Sequence, residues 1–143
     1  MAMTAKDLIA KKTDILAQKN AEVEIDIEGV GVWRFRTPTA EDFIDGEKYA
    51  EAHKREVRNS DPVIIYNCVV EPNLRDAELA AAFSPNPEKP KAQGPWIVYE
   101  LLKTGQVSRV GALLAKQAGF SATSANVVVE EAIVEGAEEI KNS

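Results

Sequence analysis

The chain has 143 residues, 45% of them hydrophobic and 28% charged, with a net charge of −6. A length of this order makes one domain with one core, and the composition excludes a disordered chain. The acidic balance argues against a phosphate-backbone partner, and no apolar run reaches the roughly 20 residues that cross a bilayer, so neither nucleic acid nor membrane is expected.

The first element is an amphipathic helix. Thr4 caps it, Asp7 three residues on completes a capping box, and Leu8, Ile9, Ile15 and Leu16 repeat at seven-residue spacing as far as Lys19-Asn20. Asp7 also interrupts the apolar stretch that an export leader needs, which points to a cytoplasmic chain. Strict alternation follows: Val23, Ile25 and Ile27 face one way and Glu22, Glu24, Asp26 and Glu28 the other. Gly29-Val30-Gly31 breaks the pattern and Val32 to Arg36 resumes it, with Trp33 and Phe35 on the apolar side. This predicts a β-hairpin with acidic residues across from Arg34 and Arg36, its apolar face packed on helices because an isolated hairpin is marginal in water.

Thr37-Pro38-Thr39 ends the second strand, and Thr39 with Asp42 forms another capping box for a helix that runs into a charged stretch ending near Arg58. His53, the only histidine, has no second histidine or cysteine at ligand spacing, so it reads as a surface residue. Asp61-Pro62 predicts a helix start. The run to Val70 is rich in β-branched residues, which leaves a buried strand as the alternative; the proline favours helix. Cys68 within that run reads as a buried small hydrophobe, because an unactivated thiol in an apolar setting is mostly inert.

Pro72 ends that run, Asn73 caps a short alanine-rich helix from Leu74 to Phe83, and four prolines and a glycine across 84–95 make an exposed loop within the single domain 1–143. Trp96 to Leu102 is a short buried helix that stops at Thr104-Gly105. The next carries Val107, Val110, Leu113, Leu114 and Ala118 on one stripe and ends at Gly119, whose left-handed cap brings Phe120 back against Leu114 or Ala115. Ser121 or Thr123 caps a last helix with a stripe from Ala125 to Ile140, and residues 136–143 are expected to fray. Val127 and Val134 fall off that stripe, on a separate line between Glu130 and Glu131.

The fold class is therefore α+β, mainly α: a small helical domain with one hairpin in its N-terminal half. No nucleophile with its base, paired carboxylates in distinct environments, metal cluster, dinucleotide fingerprint or P-loop is legible, so no catalytic residue, cofactor or metal is assigned. Amphipathic helices remain, and they are elements of partner binding. Leu8, Ile9, Ile15 and Leu16, with Val127 and Val134, are the expected protein-contact residues, for self-association or for a client.

Three phrases carry a family likeness: Thr39-Ala40-Glu41-Asp42, then Pro72-Asn73-Leu74-Arg75-Asp76-Ala77-Glu78-Leu79, then Leu101-Leu102 with Gly105, Leu113 and Gly119-Phe120. In this order, over about residues 22 to 122, they resemble the tail assembly chaperone family of long-tailed bacteriophages and related prophages, the XkdN-like type. Gln106 stands where that pattern commonly has glutamate, and the 84–95 loop looks like an insertion. The resemblance implies a non-enzymatic helper in the host cytoplasm that binds the tape measure protein, keeps it soluble and extended, recruits tail tube protein, and is absent from the mature virion. Self-association into a homo-oligomer along the client is expected with it. The alternative is a structural tail or head–tail completion subunit retained in the virion.

Overall fold

The computed structural model of the chain describes residues 2–120. Two short helices, α1 (Ala5–Ala10) and α2 (Lys12–Lys19), lead into a hairpin of β1 (Glu22–Ile27) and β2 (Gly31–Arg36). Helices α3 (Ala40–Ala52) and α4 (Asp61–Cys68) follow, then a short strand β3 (Val69–Glu71), and three more helices, α5 (Ala77–Phe83), α6 (Ile97–Leu101) and α7 (Thr104–Gln117). The class is α+β and mainly α, as the periodicities predict. The expected last helix, with Val127 and Val134, lies outside the described residues, as does the 136–143 tail.

The hairpin forms in the predicted register, with Ile25 opposite Trp33 and Val23 opposite Phe35. Its turn uses Gly29 at φ 77°, a left-handed conformation open to glycine, and the Val30 N–H donates to Ile27 O at 2.9 Å. One strand was not legible. β3 pairs antiparallel with β2 to give the order β1-β2-β3, Val70 being the extra residue of a bulge between the Arg34–Glu71 and Phe35–Val69 pairs. The β-branched run thus contains both readings, a proline-started helix to Cys68 and three residues of strand after it.

Helices cover one face of the sheet. Ile25, Ile27, Trp33 and Phe35 point into a core shared with Ile64 and Ile65 of α4, Ile97 and Val98 of α6, and Val107, Val110 and Leu114 of α7. Two glycines set how closely those helices approach. A Cβ on Gly46 would stand 2.9 Å from Ser60 Cβ, and one on Gly111 would stand 2.6 Å from Asp61 Cγ, so α4 lies almost on the backbones of α3 and α7. The Asp61 carboxyl is pushed up from its ordinary range by burial in this contact. Gly46→Ala is therefore expected to destabilise the protein by about 1–3 kcal/mol, the overpacking exceeding the gain in helix propensity. An unchanged or raised urea midpoint would contradict that close approach.

Local starts and stops differ from expectation in four places. Ser60 occupies the cap position of α4, and Asp61 is its first residue, with its N–H bonded to Asn59 Oδ1 at 2.9 Å. The Asn73 side chain closes a turn onto Arg75 N instead of capping α5, which Asp76 caps through Leu79 N at 3.0 Å. Thr104 opens α7 rather than ending α6, which stops at Leu102. Gly119 takes φ 98° as predicted, with Phe120 N donating to Ala115 O at 2.9 Å, but the Phe120 ring meets Phe43 of α3, centroids 5.0 Å apart and edge-on. The 84–95 segment contains no helix or strand, and the buried Ser84 hydroxyl pins it, donating to Ala80 O and accepting from Lys91 N.

Candidate interaction surface

The N-terminal helices form an arm. The Thr4 capping box is made with Asp7, Lys11 interrupts the helix for one turn-like residue, and α2 continues to Asn20. No residue of either helix is buried, and the two pack principally on each other. Leu8 is 51% exposed, Ile9 74% and Leu16 45%, while Ile15 is half-buried. Four of the six expected contact residues thus lie on these two helices, three of them exposed and Ile15 half-buried; Val127 and Val134 lie outside the described residues.

The apolar count alone missed two residues of this arm. Lys12, Ile15, Leu16 and Lys19 stand at i, i+3, i+4 and i+7 of α2, which places the two lysines on the same face as the aliphatic pair, with Asp14 on the opposite side. Asp7 is occupied by the α1 cap, accepting from Thr4 N at 3.0 Å, which holds its carboxyl below the usual range. The arm's apolar face is thus cationic as well. The signal was in the sequence, at the same spacing used for the leucines.

The root of the arm is held firmly. Ala21 O accepts from Thr37 N at 3.2 Å and from Thr37 Oγ1 at 2.6 Å, tying the arm's exit point to the end of β2. Beside it, β1 and α7 leave an open furrow lined by Val23, Ile25 and Leu113. Leu113, expected on the buried stripe, is 42% exposed there.

No described helix packs on the outer face of the sheet. Glu22, Glu24 and Asp26 of β1 project from it with Val32 of β2, 58% exposed, and Glu71 of β3. Arg34 takes up two of these acids, its Nη2 lying 3.0 Å from Glu71 Oε1 and its Nε 3.2 Å from Glu22 Oε1. Glu24 and Asp26 make no salt bridge among the described residues.

The one buried charged group among the described residues belongs to the scaffold. Asp42 accepts from Arg36 Nη1 at 2.7 Å and Nη2 at 2.9 Å while also bonding the Thr39 N–H at 2.7 Å, and Arg36 reaches Asn67 O at 3.1 Å. Burial opposes ionisation of Asp42, but the Arg36 and Thr39 hydrogen bonds outweigh it and bring its pKa down to about 2. Cys68 Sγ lies 3.6 Å from the same carboxylate, and burial pushes the thiol up to about 12, which keeps it protonated and unreactive. His53 stacks on Tyr49, centroids 4.0 Å apart, at the end of α3. No three histidine, cysteine or acidic side chains among the described residues are placed to hold a metal ion, and no helix among them is long and apolar enough to cross a membrane. Compared with known protein families, curated proteins and solved structures, the chain matches none.

Proposed function

We propose that the chain is a non-enzymatic tail assembly chaperone of a long-tailed phage or prophage. In this reading it binds the tape measure protein, keeps it soluble and extended in the host cytoplasm, helps recruit tail tube subunits, and leaves before the virion is complete. The single observation that supports it most is the arm: an amphipathic element with Leu8, Ile9 and Leu16 exposed and none of its helical residues buried. Fully burying one such side chain in a partner contributes roughly 1.5–3 kcal/mol, so a few of them, repeated along a rod-like client, give a grip that a stronger partner can displace.

Co-expression with a candidate tape measure protein tests this. The client is expected in the soluble fraction and in the same purified complex, and Leu8→Ser with Ile9→Ser is expected to reduce its recovery at least about tenfold while leaving the melting temperature unchanged, because neither residue is buried in the domain. A client that stays insoluble and does not co-purify would sink the proposal. Stoichiometric amounts of the chain in purified virions would replace it with the structural-subunit reading.

A further inference from the structure

We propose that the arm of one copy docks across the outer sheet face of a second copy, Lys12 and Lys19 meeting Glu24 and Asp26. The proposal rests on the reading of the arm as a contact element, and is independent of which client the protein serves.

Charge complementarity carries it. The arm has four lysines (Lys6, Lys11, Lys12, Lys19) against two aspartates, a positive surplus on a chain whose net charge is −6. Lys12 and Lys19 lie on its apolar face and make no salt bridge among the described residues. The outer sheet face supplies the counterpart: the carboxylates of Glu24 and Asp26, which make no salt bridge among the described residues, with Val32 directly across from Asp26 as an apolar centre. Both surfaces mix exposed aliphatic carbon with charge; Arg34 on the sheet is taken up by Glu22 and Glu71, which leaves the acids of β1 in excess there, opposite in sign to the lysines of the arm. Two helical turns put Lys12 and Lys19 about 10.5 Å apart along the axis, and flexible lysine stems bridge that to carboxylates about 7 Å apart on the strand.

The occupant is a second copy. Within one copy the arm comes beside Glu24 and Asp26 only at Gln18, on the rim of the furrow, and Lys12 and Lys19 are not among its lining residues, so in this structure those lysines face outward from their own sheet. The contact joins two different patches, so it either closes as a reciprocal exchange between two copies or propagates as a chain of copies.

Sedimentation equilibrium of the full chain, without client, tests the proposal. Wild type is expected to associate. Lys12→Glu with Lys19→Glu, and separately Glu24→Lys with Asp26→Lys, are each expected to weaken association at least about tenfold, since each replaces attraction by repulsion at two positions. Mixing the two variants is expected to restore association, because the reversed arm meets the reversed sheet. Leu8→Ser with Leu16→Ser weakens it without touching a charge. All three sets are on exposed positions, and circular dichroism melts verify that each variant folds. A monomeric wild type, unchanged association in either charge variant, or a mixture that stays apart overturns the proposal. So does a wild type that is monomeric in solution and binds vesicles containing anionic lipid, which would assign the cationic arm to a lipid surface. Tape measure protein is absent from every arm of this test, so its outcome is separable from that of co-expression.

Discussion

Replacing Asp42 by alanine is expected to lower stability by about 3 kcal/mol, a large share of the 5–15 kcal/mol typical of a domain. Three losses coincide in one substitution. The bidentate partner of Arg36 disappears, the N-terminal cap of α3 opens at Thr39, and the guanidinium that joins the end of β2 to Asn67 of α4 is left with the carbonyls of Thr37 and Asn67. Capping by itself accounts for about 1 kcal/mol and breaking a buried pair for more, although Arg36 is 40% exposed, which keeps the pair term toward the lower end. Asp42→Asn, which keeps shape and part of the cap, is expected to cost about 2 kcal/mol.

The same residue sets an acid limit. The folded carboxyl titrates at about 2, below its ordinary 3.8, so its stabilisation of about 2 kcal/mol is fully present above 3.8 and is lost as the pH falls towards 2. Urea unfolding across that range is expected to show stability falling with acidification in wild type and a flatter dependence in Asp42→Asn. Parallel curves for the two proteins would show that Asp42 is not the titrating group.

Phe35→Ala is expected to cost more, about 3–5 kcal/mol. The ring is wholly buried on the inner face of the central strand, 6.3 Å from the Trp33 ring, with Val23 across from it on β1 and Val69 on β3. It is where the sheet meets α4, and Trp33 and Ile65 cannot both move in to refill the space, since each is already locked into the core. The unfolding midpoint is expected to fall without a change in the urea dependence. A loss below about 1 kcal/mol would mean that the core collapses onto the gap.

What was legible in the sequence follows from the range of the forces involved. Period-two alternation revealed β1 and β2, and both threonine capping boxes formed as written, because each depends on residues three apart. Misplaced boundaries came from equally local competition. Asn73 and Asp76 both suit a cap, and only the turn that Asn73 makes with Arg75 decides between them. β3 escaped because three residues joined directly to a helix carry no periodicity, and its pairing partner is more than thirty residues away. Asp42's bond to Arg36 was hidden for a related reason: the hairpin register placed Glu22 opposite Arg36, yet the side chain turns to the helix instead. At the candidate surface, the aliphatic stripe of the arm was legible, whereas its separation from the body was not, since an amphipathic helix looks the same whether its own core or another molecule covers it.

The arm has a thermodynamic consequence of its own. Helices of six and eight residues lie below the length at which a helix holds in water unaided, and these two have no buried side chain to make up the difference. In the proposed reading their helical order is coupled to occupancy: a partner that covered Leu8, Ile9 and Leu16 would also pay the entropy of fixing the backbone around them. An interface of that kind would trade affinity for reversibility, capturing through an adaptable segment and releasing by melting it, without movement of the folded body to which Thr37 anchors it.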